Sequence, residues 1–205
     1  MITKLFNSRE LNTIQDCLEK GGLVAIPTDT IYGLAVMANN FESIHRLREV
    51  KQRPDEKAFA YMVDSIKKIE EVCELSDRDR YLINRWLPGP ITFVFNKKKN
   101  NIIVSQSEMT TLAIRIPNHP FILGLVSQME IGLYVPSANI SGYPPCLNSE
   151  EILKQFDGLI EGIVLDEAYG ERPSTIIDCS GEDLVCIREG VITLEEIKED
   201  LNGYI

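Results

Sequence analysis

Hydroxyls, cations and small residues gather in five short stretches, each beside a run of apolar residues. Pro27-Thr28-Asp29-Thr30-Ile31-Tyr32-Gly33 follows the run Leu23 to Ile26. Its hydroxyls suit a small polar ligand and Gly33 permits close backbone approach, although an Asx- or Thr-type turn would use the same residues. Lys51-Gln52-Arg53-Pro54 leaves the end of a helical pattern. Two cations there either complement the helix dipole or, fixed by the proline, clamp a phosphate with a planar fork and a point charge. In Thr111 to Pro117, Arg115 lies inside an apolar strand pattern, where a guanidinium needs an anionic partner from the protein or from a ligand. Pro136 to Gly142 follows the run Leu133 to Val135, and its backbone N–H groups could form an anion-binding nest. Last, Pro173-Ser174-Thr175 opens one strand pattern and Arg188 ends the next. Ligands of open α/β sheets bind at such strand ends.

Other chemistries lack their residues. Neither the P-loop nor G-x-G-x-x-G occurs, and G-x-S-x-G and H-E-x-x-H are missing too. His45 and His119 are the only histidines. Five cysteines are scattered without C-x-x-C, which suggests reduced thiols rather than disulfides or zinc. Cations, hydroxyls and backbone donors suit phosphoryl or nucleotidyl transfer, where catalysis is mostly positioning and charge stabilisation.

The elements that must position these residues follow from periodicity. Helical patterns cover Leu11 to Leu18, Phe41 to Lys51, Arg78 to Trp86, Phe121 to Met129, Glu150 to Phe156 and Leu194 to Leu201, and Asn7 to Glu10 has capping-box spacing. Strand patterns cover Leu23 to Ile26, Phe59 to Val63, Ile91 to Phe95, Leu112 to Ile116, Leu133 to Val135, Ile163 to Leu165, Thr175 to Ile177 and Leu184 to Ile187. Lys97-Lys98-Lys99-Asn100-Asn101 reads as a solvated hairpin turn. The alternation predicts one α/β domain over residues 1–205, a twisted open mixed sheet with helices packed on it. With 21 Lys and Arg against 31 Asp and Glu, the net charge of -10 opposes indiscriminate binding to nucleic acid. The charged amino terminus and the lack of a long apolar run predict a cytoplasmic protein without a membrane span.

In order along the chain, Gly22 to Gly33, Lys51 to Pro54, Leu87-Pro88-Gly89-Pro90-Ile91-Thr92, Thr111 to Pro120, Pro136 to Gly142, Pro173 to Asp178 and Ile187-Arg188 resemble the YrdC-like family of L-threonylcarbamoyl-adenylate synthases, in its short form. The resemblance implies the YrdC-like fold and a reaction of L-threonine, bicarbonate and ATP giving threonylcarbamoyl-AMP and pyrophosphate. The product feeds N6-threonylcarbamoylation of tRNA adenosine through tRNA-modification proteins. By the same resemblance Lys51, Arg53, Lys57, Thr111, Ser137, Asn139 and Arg188 hold ATP, with Lys51 and Arg53 catalytic, and Thr30, Arg115 and Ser174 hold L-threonine. Mg2+ would bridge the phosphates without a named protein ligand. Two segments depart from the family pattern. Lys57-Ala58-Phe59 stands where relatives have K-P-L or N-P-L, and Pro144-Pro145-Cys146 where they often offer a hydroxyl. Two other functions stay open: a carbamoyl-adenylate module serving another acceptor, and a module that binds RNA directly through a local basic face. Cations gathered in one concavity would favour an enzyme, and cations spread over a convex face would favour RNA.

Overall fold

A computed structural model describes residues 2–54, 57–99 and 109–203. Among the described residues ten strands form one mixed sheet in the order β1-β8-β2-β3-β7-β4-β6-β5-β9-β10. These are β1 (Lys4–Asn7), β2 (Val24–Ile26), β3 (Gly33–Met37), β4 (Tyr61–Met62), β5 (Ile91–Asn96), β6 (Thr111–Arg115), β7 (Leu133–Tyr134), β8 (Gly162–Leu165), β9 (Thr175–Asp178) and β10 (Val185–Arg188). The helices of the described residues are α1 (Leu11–Glu19), α2 (Phe41–Lys51), α3 (Ile66–Val72), α4 (Asp77–Trp86), α5 (Pro120–Ser127), α6 (Ser149–Phe156) and α7 (Leu194–Asn202). The expected open mixed α/β sheet is present. β8 runs parallel to β1 and β2, β4 parallel to β6, and β5 parallel to β9, while the remaining neighbours are antiparallel.

The two faces of the sheet are covered unequally. One face carries side chains from nearly every strand, among them Ala25, Leu34, Tyr61, Phe93, Phe95, Ile114, Tyr134, Ile163 and Ile177. Against them pack Ile44 and Leu47 of α2, Ile69 of α3, Leu82 and Ile83 of α4, Ile152 and Phe156 of α6, and Ile197 of α7. Among the described residues, the opposite face is covered only from β1 to β4. There Phe6, Val24, Ile26, Ala35, Met37, Met62, Leu133 and Val164 meet Ile14 and Leu18 of α1 and Phe121, Ile122, Leu125 and Val126 of α5. Burial of these aliphatic side chains is the main favourable term, roughly 1.5 to 3 kcal/mol for each fully buried one. Beyond β4, that second core gives way to β6, β5, β9 and β10. Alternation along β6 turns Leu112 and Ile114 into the complete core and Thr111, Ala113 and Arg115 to the bare face.

Several elements differ from the periodicity. β1, β3 and α3 were not anticipated. β1 buries only Phe6, so it shows no alternation. β3 is buried at all five positions and continues without a break from the Thr28–Gly33 turn. The anticipated strand at Phe59 to Val63 pairs only through Tyr61 and Met62. The Asn7–Glu10 capping box forms by half: Glu10 Oε2 accepts from Asn7 N at 2.6 Å, but the residue before the helix is Glu10, whose own side chain caps nothing. Complete boxes occur instead at Ser76 with Asp79 and at Thr193 with Glu196. Of the expected lysine-rich turn, Asn100 and Asn101 lie outside the described residues.

Candidate active site

The bare half of the sheet is the floor of a cleft with a cavity volume of about 100 Å3. Ala113, Thr92 and Ile176 on β6, β5 and β9 form the floor, with Ala58, Ala60 and Met62 beside them. Short side chains on the floor leave the volume open. The turn Thr28 to Gly33 makes one wall, the segment Val135 to Ser137 another, and Pro173, Ser174 and Arg188 close the far side. Where a Cβ on Gly33 would sit, Val135 Cγ1 is 2.4 Å and Pro136 O 3.0 Å away. Gly33 is therefore needed for contact between two walls, and it also lines the cleft.

Arg115 is held from three sides. Its Nε donates to Gly89 O at 3.0 Å, Nη1 to Thr30 Oγ1 at 3.2 Å, and Nη2 to Asp29 Oδ1 at 2.7 Å. Its side chain is 3% exposed and that of Asp29 6%. The anionic partner required by its burial is thus a protein carboxylate. Two guanidinium N–H groups remain, enough for one ligand carboxylate. Burial pulls the Arg115 pKa down, and Asp29 pulls it back up. Gly89 fits here because a Cβ would stand 2.5 Å from Trp86 O. Asp29 Oδ2 is buried without a hydrogen-bond partner among the described residues.

The two cations at the end of α2 diverge. Gln52 caps the helix in the left-handed region at φ 49°, turning the chain between them. Arg53 enters the cleft, donating from Nε to Lys57 O at 3.2 Å and from Nη2 to Ala58 O at 2.8 Å, with its guanidinium 5.2 Å from the Phe59 ring centre. Arg48 lies over the same ring at 4.7 Å. Lys51 is 1% exposed and goes underneath. Its ammonium donates to Ser137 O, to Asn139 O at 2.7 Å and to Asn139 Oδ1 at 3.3 Å, while its own carbonyl accepts from Ser141 N at 2.8 Å. Burial, and then Arg53, push the Lys51 pKa down to about 7, while three acceptors around one ammonium favour the charged form. Lys51 therefore braces the Ser137–Asn139 wall from behind. The anticipated nest on that wall does not form at 138–141, because these N–H groups donate to Tyr32 O, Ser137 O, Gln155 Oε1 and Lys51 O.

Arg188 closes the site from β10. Nε and Nη2 donate to Ser174 O at 3.0 and 2.8 Å, and Nη2 reaches Ser174 Oγ at 3.2 Å. Ser174 Oγ is also 2.9 Å from Thr92 Oγ1. Burial pushes the Arg53 pKa down to about 10, with Arg48 and Arg188 adding to the fall, and Arg188 is lowered by burial and by Arg115. Each guanidinium thus raises the potential at the next, and an anion in the cleft would relieve all three.

Of the residues singled out in the sequence, Thr30, Arg53, Arg115, Ser137, Ser174 and Arg188 line this one cleft. Lys51 and Asn139 stand behind its wall. Lys57 is exposed and contributes its carbonyl to Arg48 and Arg53. Thr111 is outside the lining, on the same face of β6 as Arg115 but four residues away, about 13 Å along the strand. Asp29, Thr92 and Phe59 were given no individual ligand-binding role from sequence, and Thr28 only one shared with the other hydroxyls of its turn. Asp29 was the most accessible of them, since a carboxylate in the first hydroxyl-rich stretch is the natural counterion for a buried arginine.

A family profile named Sua5/YciO/YrdC and described as telomere recombination matches residues 16–190. The chain belongs to this family. It is 31% identical over 184 residues to the threonylcarbamoyl-AMP synthase of Bacillus subtilis (strain 168), a match covering 88% of this chain and 53% of that protein. The corresponding protein of Pyrococcus abyssi (strain GE5 / Orsay) is 33% identical over 184 residues, 89% of this chain and 54% of its own length. The chain therefore spans about half the length of these curated relatives. The crystal structure of P. abyssi Sua5 complexed with L-threonine superposes with a TM-score of 0.88 at 30% identity, covering 100% of this chain and 62% of that one. E. coli YciO superposes with a TM-score of 0.87 over 96% of this chain and 100% of its own, and at 22% identity that is a likeness of fold.

Proposed function

We propose that the protein is an L-threonylcarbamoyl-adenylate synthase, converting L-threonine, bicarbonate and ATP to threonylcarbamoyl-AMP and pyrophosphate. Its product would serve proteins that carry out N6-threonylcarbamoylation of tRNA. The observation that carries this reading is the convergence of Arg53, Arg115 and Arg188 with Thr30, Ser137 and Ser174 in one cleft. P. abyssi Sua5, on which this fold superposes, has a crystal structure in complex with L-threonine. Cations in one concavity fit an enzyme of anionic substrates better than a convex RNA-binding face.

The reaction divides along the cleft. Arg115, held by Asp29 and Gly89, offers its two remaining N–H groups to the carboxylate of L-threonine, with Thr30 and Ser174 beside it. Arg53 and Arg188 take the phosphates, and the wall braced by Lys51 presents Ser137 to the nucleotide. Thr111, farther out on the same face, would be reached only by the far end of an extended ligand. The free amine of L-threonine adds to CO2 to give an N-carboxylate and releases one proton to solvent; from bicarbonate the same C–N bond forms as a C–O bond breaks and water leaves. An oxygen of that anion forms a bond to the α-phosphorus of ATP as the bond from α-phosphorus to the bridging oxygen breaks, and pyrophosphate leaves with the electron pair. The nucleophile is already an anion, so the site needs no strong base; its work is to hold two anions together under positive charge.

Magnesium fits this site as an ion brought in by ATP. Among the described residues no group of three or more His, Cys, Asp or Glu is placed to hold a metal, and Asp29 is engaged by Arg115. Such an ion would be held by phosphate oxygens and water.

The test is pyrophosphate release from ATP with each component omitted in turn. Release should need L-threonine and bicarbonate together. Release that continues without L-threonine, or needs another amine in its place, would replace this reading with that of a carbamoyl-adenylate module for a different acceptor.

A further inference from the structure

The protons of the Thr28-Asp29-Thr30 turn can be assigned one by one. Thr28 Oγ1 lies 2.7 Å from Ile31 O, and a carbonyl can only accept, so the Thr28 proton points there. A hydroxyl has one proton and two lone pairs. Thr28 therefore only accepts from its other two neighbours, Thr30 N at 3.1 Å and Thr30 Oγ1 at 3.0 Å. This commits the Thr30 proton to Thr28. Thr30 Oγ1 accepts in turn from Arg115 Nη1 at 3.2 Å. What Thr30 has left is one lone pair and no proton, on a residue that lines the cleft. Both threonines are 2% exposed, so bulk water has little access with which to reorient this chain of bonds.

We infer that Thr28 is a positioning residue that fixes the hydrogen-bond polarity of the amino-acid end of the cleft: Thr30 accepts and does not donate, so the side chain of the substrate must bring its own proton. The inference rests on the proposed function for placing an amino acid beside Thr30 and Arg115. It specifies the side-chain chemistry: a β-hydroxyl is selected as a donor, and a group of the same shape that offers only an acceptor, or nothing, is refused. Refusal by an unpaired buried polar group is a strong form of discrimination.

The experiment compares KM for L-threonine, O-methyl-L-threonine and L-valine in the pyrophosphate assay, with KM for ATP as control. O-methyl-L-threonine keeps the oxygen but not the proton, and L-valine has the shape without either. In the wild type both analogues should be at least about tenfold poorer than L-threonine. Thr28→Val frees the Thr30 proton to face the ligand, so the preference for L-threonine over O-methyl-L-threonine should fall several-fold while KM for ATP stays put. Thr28→Ser should restore the wild-type preference. A structural defect would weaken both amino acids alike and leave their ratio unmoved, and the extra methyl's bulk cancels when ratios are compared between variants. An unchanged ratio in folded Thr28→Val overturns the inference alone. If Thr28→Val does not fold, the wild-type series decides, because O-methyl-L-threonine used as well as L-threonine overturns it too. A wild type with no L-threonine dependence overturns the proposed function as well.

Discussion

At the scale of single residues, Lys51 and Arg53 look equivalent in the sequence and are not equivalent in the protein. Arg53 faces the cleft, so Arg53→Ala should leave folding near normal and lower kcat/KM for ATP roughly a hundredfold, as loss of a charge-assisted contact of about 2 to 3 kcal/mol implies. Lys51 is enclosed, and its removal leaves Ser137 O, Asn139 O and Asn139 Oδ1 without their donor. Lys51→Met should therefore show first in stability, and its effect should depend on pH. With a folded pKa of about 7 against an ordinary value of 10.5, the unfolded chain binds more protons between those values. The contribution of Lys51 to stability accordingly rises with pH across that window. Urea unfolding of wild type and Lys51→Met from pH 7 to 10 should show the difference moving in favour of the wild type. A flat difference would mean that its three acceptors keep the ammonium charged throughout.

At the scale of elements, the alternation along β6 separates function from folding at neighbouring positions. Ala113→Leu would fill the cleft floor while touching little of the core, so pyrophosphate formation should drop at least tenfold with the melting temperature nearly unchanged. Leu112→Ala, one residue away and 5% exposed in the complete core, should cost about 2 to 5 kcal/mol in stability and largely spare the affinity for ATP. Thermal unfolding and steady-state kinetics on the two variants check both halves. The strand itself was legible in the sequence as an apolar run, and so was the location of Arg115 within it, because a charged residue in an apolar run is conspicuous. The divergence of Lys51 and Arg53 was not legible, since it depends on one residue, Gln52, adopting a left-handed cap with no glycine to signal it. β3 was hidden because Gly33–Met37 is buried on both faces and shows no period of two. The same local chemistry misled at Pro136 to Gly142. Small residues promised free N–H groups, but their engagement by Tyr32, Lys51 and Gln155 comes from distant elements.

At the scale of the whole molecule, a net charge of -10 surrounds a cleft lined by three arginines. The acidic exterior discourages indiscriminate polyanion binding and leaves positive potential where small anions enter. The cleft is cut where α1 and α5 stop covering the sheet. That uneven cover also bears on how substrates and stability are linked. Among the described residues, the sheet is sandwiched between two layers of helices from β1 to β4, whereas from β6 to β10 it has a single backing layer and an open face. A ligand settling on that face acts as the absent outer layer, present only in the folded state. Nucleotide at a hundred times its dissociation constant would then add about 2.7 kcal/mol to the unfolding free energy by mass action alone. Melting curves recorded with ATP, then with ATP and L-threonine, should climb in two steps. In Ala113→Leu, where the open face is already filled by a side chain, both steps should shrink towards zero.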